Sequence, residues 1–163
     1  MEEKDFLRAL AKVFKELVDG AAEKEAWVLN RNDPGLVKSL DNLSAEEASA
    51  IPAQGGASIA AHVDHLRYGI ELVNRWTKGE QPFADADWSQ SWKRLTVSDK
   101  EWAERRKELK DQVYPWRDAI TADRKMTEME LTGVIGSVVH LAYHLGAMRQ
   151  IDRSMRGPAE SGS

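Results

Sequence analysis

Four stretches of this sequence repeat apolar residues at the spacing of one helix face, and no stretch makes a convincing strand. Few folds accept that pattern. Each helix carries a stripe that must be hidden from water, and four such stripes hide one another in a bundle. The first runs from Lys4 to Asp19, with Phe6, Leu7, Leu10, Val13, Phe14 and Leu17 on one side and Gly20 as its stop. Ser58 caps the second, whose stripe is Ile59, Val63, Leu66, Ile70 and Val73 and whose end falls near Lys78 and Gly79. Ser98 and Glu101 form a capping box for the third, expected from Asp99 to Ala122 with a kink or break near Tyr114 because Pro115 lies inside it. The fourth spans Met129 to Arg153, with Val134, Ile135, Val138, Leu141, Leu145 and Met148 as its stripe.

The expected fold class is therefore all-α: a four-helix bundle with a long connector containing short helices between the first two long helices. That connector is broken by turn chemistry at Asn32-Asp33-Pro34-Gly35. A short helix is expected over Leu36 to Leu40, and Ser44 with Glu47 makes a capping box for another. A connection of this length inside a compact domain is expected to cover one end of the bundle. The 163 residues suit one domain, assigned to 1–155, with the small, polar segment 156–163 expected to be a disordered tail.

All four histidines fall on two of these helices. His140 and His144 are one turn apart, so both imidazoles can reach one ion. His62 and His65 share the second helix, where a rotation of about 100° per residue sets His62 inside the arc of Leu66, Ile70 and Val73 and His65 toward its edge. Periodicity thus slightly favours His62 as the inward residue. Any one of the four, taken singly, reads best as a hydrogen-bonded histidine at a helix contact. Their confinement to two helices shifts the balance toward a metal. The chain has no cysteine, so a transition ion would rest on His, Asp, Glu and water. Three imidazoles from facing helices would leave open positions for water or substrate.

Charge excludes other functions. A net charge of −4, with basic and acidic residues interleaved, gives no footprint for nucleic acid. The N-terminal MEEKDFLRALAKVF is charged and amphipathic, and no segment approaches the roughly 20 apolar residues of a membrane span. A cytoplasmic protein without a membrane partner is expected. The high count of six tryptophans reads as large core and inter-helix fillers, while Trp88, Trp92 and Trp102 are expected to be exposed and available to a homodimer face.

Three segments together resemble a known family. They are GLVKSLDNLSAEEASAIP in the connector, SIAAHVDHLRYGIELVNRW on the second helix, and His140, His144 and Gly146 on the fourth. The chain resembles the DinB/YfiT-like superfamily of metal-dependent four-helix bundle proteins over nearly its whole length up to the tail. The resemblance implies that His65, followed by Leu66, joins His140 and His144 as metal ligands, against the slight periodic preference for His62. His62 then becomes an outer neighbour of the ligands or a proton carrier, with Asp64 and Tyr68 beside it. Relatives include transferases and isomerases that use low-molecular-weight thiols such as bacillithiol, mycothiol or glutathione. What is implied is a divalent metal, zinc or nickel, a thiol cosubstrate, an electrophilic small-molecule substrate, and a role in detoxification or stress response. Metal-activated water would give a hydrolase instead. The alternative is a non-catalytic stress-associated bundle that binds a small molecule or a metal.

Overall fold

The computed structural model describes residues 3–122 and 125–157. Six α-helices follow in order: α1 (Glu3–Asp19), α2 (Gly35–Asp41), α3 (Ala45–Ser49), α4 (Ile59–Thr77), α5 (Asp99–Ile120) and α6 (Glu128–Ile151). There is no strand among the described residues. The four long helices form an all-α bundle in which α4 and α1 each pack against both α5 and α6. Phe14, Leu17, Leu66, Leu109, Val113, Trp116, Val134 and Leu141 are all buried in the shared core.

Local chemistry places the helix ends. Ser44 with Glu47, Ser98 with Glu101, and Thr127 with Glu130 make reciprocal capping boxes, each satisfying backbone N–H groups that the first turn leaves orphaned. Gly20 ends α1 with φ +104°, and a Cβ there would lie 2.2 Å from the Asp33 carbonyl oxygen, so the position also lets the connector pass against the helix. The connector contains α2 and α3, as expected. Both are short, and they pack on the long helices, α2 against α1 and α5 and α3 against α4 and α5.

Several expectations need correction. α5 runs unbroken through Pro115. Pro115 and Asp111 are exposed, so the Asp111 carbonyl that loses its helical N–H partner faces water, while buried Val113 and Trp116 hold the helix to the core on either side. Ile135 is exposed rather than part of the α6 stripe. Trp102 is only 2% exposed, and its indole N–H donates to the Leu43 carbonyl at 2.8 Å, so it belongs to the core and not to a free surface. Trp92 is half-buried, and Trp88 alone of that trio is exposed.

By length and composition α6 is the one described helix that could cross a membrane. Its Val134, Val138, Leu141, Leu145 and Met148 are buried inside the bundle, however, and the same helix carries two histidines. Of the expected tail, residues 158–163 lie outside the described residues. Just before them, Met155 is buried, and the Gly157 N–H donates to the Asp33 carboxylate.

Candidate metal centre

α4 and α6 pack against each other along the faces that carry the histidines. His65 is 7% exposed and His144 3% exposed, whereas His62 and His140 are half-buried. The periodic preference for His62 is therefore reversed. α4 is buried on most of its circumference, because the link from residue 78 to residue 98 covers the flank that a one-sided helix would leave to water. A single stripe cannot rank positions on such a helix.

His65, His140 and His144 come together so that one nitrogen from each lies within 4.8 Å of the others. The His65 and His140 Nε2 atoms are 3.1 Å apart, and those of His140 and His144 are 2.9 Å apart. Around an ion with metal–nitrogen bonds near 2.1 Å, adjacent nitrogens are about 3.0 Å apart in octahedral geometry and about 3.4 Å in tetrahedral geometry. The spacing suits a single ion.

The outer hydrogen bonds strengthen that fit. Ser91 donates its hydroxyl proton to the Trp88 carbonyl at 2.8 Å, so it accepts from His65 Nδ1, 2.9 Å away. That tautomer leaves His65 Nε2 a bare acceptor facing its neighbours. His144 Nδ1 lies 2.9 Å from His62 Nδ1, which engages the ring on the side away from the cluster. One proton on His140 Nε2 can satisfy only one of the two nitrogens it faces, whereas a cation satisfies all three. Burial also keeps the rings neutral, as ligation requires. It lowers the His65 pKa to about 4 and that of His144 to about 3, with help from the adjacent imidazoles, His140 first. Burial lowers His62 and His140 as well.

The link between α4 and α5 completes the surroundings. Trp92 stacks on His65 with centroids 4.2 Å apart and planes 24° apart, and it meets His62 edge-on at 5.2 Å. A short 3-10 turn, Gln90–Trp92, carries both Ser91 and Trp92. The turn is tethered from two sides. The Asp87 N–H donates to the Tyr68 hydroxyl at 3.1 Å, and the Ser58 hydroxyl donates to the Leu95 carbonyl while also capping α4.

Among the residues singled out from sequence, His62 touches the cluster through His144, and Tyr68 acts at a distance by anchoring the turn. Asp64 faces elsewhere. Its carboxylate pairs with Arg67 at 3.2 Å and Arg105 at 3.6 Å, an ion cluster between α4 and α5. Tyr143 is exposed, with its ring against the edge of His144. Sequence reasoning missed Ser91, Trp88 and Trp92 as parts of the site. A signal was present in Trp88-Ser89-Gln90-Ser91-Trp92, two aromatics bracketing hydroxyls soon after the ligand-bearing helix.

Comparison with known proteins gives one family match. The model of the DinB superfamily matches residues 29–148, well over half of the 163 residues and a span that includes every histidine. No curated protein and no solved structure matches the chain significantly.

Proposed function

The chain belongs to the DinB superfamily, and we propose that it is a metal-dependent enzyme whose His65, His140 and His144 hold one divalent ion, zinc or nickel, for chemistry on a low-molecular-weight thiol. The observation that carries this reading is the convergence of three imidazole nitrogens with outer partners arranged to leave them as acceptors. Bound there, such an ion would act as a Lewis acid that lowers the pKa of a thiol or a water in its open position.

The chain's own residues do the rest. Ser91 fixes the His65 tautomer, and His62 orients His144. Trp92 keeps water from the stacked face of His65. The half-buried His140 leaves an approach for a small molecule. In the transfer, the thiol gives its proton to solvent and its sulfur forms a bond to an electrophilic carbon. The leaving group departs with the bonding electron pair. A transferase of this kind would serve detoxification.

The test uses protein purified without a histidine tag. Elemental analysis should find one ion per chain, lost in His65→Ala and His140→Ala. Substoichiometric metal that ignores both substitutions would overturn the metal reading. Conjugation of an electrophile with bacillithiol, mycothiol or glutathione should then depend on the metal. A full metal complement without turnover on any of these thiols would leave a metal-binding module in place of the enzyme.

A further inference from the structure

Beside the histidine cluster, a cleft of about 270 Å³ opens between α4 and α6, with His140 on its wall. Ile70 and Val73 line it from α4, and Phe83 and Trp88 from the following link. Glycines on both helices make the room. A Cβ at Gly69 would lie 3.3 Å from the Trp88 ring and 3.6 Å from His140 Cε1, so the bare backbone lets the indole and the imidazole close against α4. At Gly136, on α6, a Cβ would meet nothing within 4 Å. A glycine inside a helix is disfavoured relative to alanine, and here its consequence is open space at the cleft.

The polar inventory of the cleft is short. The Ser137 hydroxyl accepts from the Trp116 indole at 2.9 Å and donates to the Val134 carbonyl at 2.7 Å, so it is already engaged. No Asp, Glu, Lys or Arg lines the space. An anionic or cationic group placed there would lose its hydration without gaining a partner. Size narrows the occupant further. An apolar cavity of about 150 Å³ takes one benzene, so the larger volume here suits roughly a bicyclic ring or a branched alkyl group of that bulk.

We infer that this cleft receives the apolar body of the substrate, an uncharged aryl or branched alkyl group of about bicyclic size, with its reactive end toward His140. The assignment of this occupant as a substrate rests on the metal-dependent reading above; the binding itself does not.

The probe is 2-naphthol, followed by quenching of tryptophan fluorescence and by calorimetry on the whole chain, both metal-loaded and chelator-treated. Saturable binding is expected in both forms, because the ring and not the hydroxyl supplies the contacts. In the chelator-treated form, where no cation can meet its carboxylate, charged 2-naphthoate should bind at least tenfold more weakly. Gly136→Leu should weaken 2-naphthol at least tenfold while metal content is unchanged, and Gly136→Ala should lie between. Both substitutions raise helix propensity, so a thermal melt should show no loss of fold. Absence of saturable binding, equal affinity for naphthoate in the chelator-treated form, or indifference to Gly136→Leu would overturn the inference. The two readings fail separately. Normal metal content with Gly136-insensitive binding removes the cleft alone, whereas Gly136-dependent binding in a chain that retains no metal removes the metal centre alone.

Discussion

The connection between α1 and α4, residues 20–58, and the one between α4 and α5, residues 78–98, are both long for a compact bundle, but they use their residues differently. The first supplies core. Leu36, Leu40, Leu43 and Ala48 are all buried, and the buried Glu16 carboxylate accepts the N–H groups of Trp27, Val28 and Leu29. Asp33 adds an ion pair with Arg149 of α6. The second connection contributes few aliphatic residues to the core. Its buried polar residue is Ser91, and its tryptophans lie against histidines. The difference shows that a long connection is explained by what its buried groups touch. Apolar side chains and a satisfied carboxylate make a structural strap, whereas a hydroxyl aimed at an imidazole makes part of a site.

The sharpest way to separate the two regions is acid. His65 and His144 have pKa values lowered to about 4 and about 3 in the folded chain, against an ordinary value near 6.5. The unfolded chain therefore takes up protons first as pH falls. Stability of the metal-free protein should be full well above pH 6.5, decline as pH falls through about 6.5, and go on declining toward about pH 3. Denaturant melts across that range will show it, and a His65→Asn, His144→Asn double variant should flatten the curve. An unchanged slope in that variant would move the acid sensitivity away from the site.

Next in size is the strap. Leu40→Ala removes a side chain that is 1% exposed and should cost about 2–5 kcal/mol of stability. Metal content measured well below the melting temperature should stay at the parent value. A loss of metal would mean that the first connection also shapes the site.

Ser91→Ala gives the opposite outcome. Removing the acceptor for His65 Nδ1 should weaken metal binding about 10–100-fold in a competition titration with a chelator. Stability of the metal-free chain should fall by only about 1–3 kcal/mol, the cost of leaving the buried His65 Nδ1–H without its acceptor. A large loss of stability with unaltered affinity would turn the second connection into a strap like the first.

The smallest effect on stability is expected at Trp102→Phe, which keeps an aromatic ring in the core, leaves a small void and deletes the bond to the Leu43 carbonyl. A loss of about 1–2 kcal/mol in a thermal or denaturant melt, without any change in metal content, would show that Trp102 of α5 holds the strap at Leu43.

Much of the fold was legible from spacing alone. The α1 stripe and its Gly20 stop, the Ser58 cap, and the Ser44 and Ser98 capping boxes are local events, set within one or two helical turns. Pro115 shows where local reasoning ends. The ring removes one hydrogen bond, but the flanking Val113 and Trp116 are buried, and their packing holds the helix through it. The site divides along the same line. His140 and His144 share one helix, so their pairing follows from a 3.6-residue turn. Ser91 lies 26 residues from His65, and no local pattern brings them together.

By itself, then, the sequence determined the all-α class, the helix limits to within a few residues, and the two histidines of α6 that can share an ion. Those properties depend on short-range geometry, which the order of residues specifies directly. The family resemblance already pointed to His65 over His62, and the tertiary structure groups His65 with that pair and sets His62 against His144; the tertiary structure alone decided that Trp102 is core and that Ser91 and Trp92 close over the imidazoles. Each of these depends on contacts between segments far apart in the chain, which the spacing of residues within one helix cannot announce.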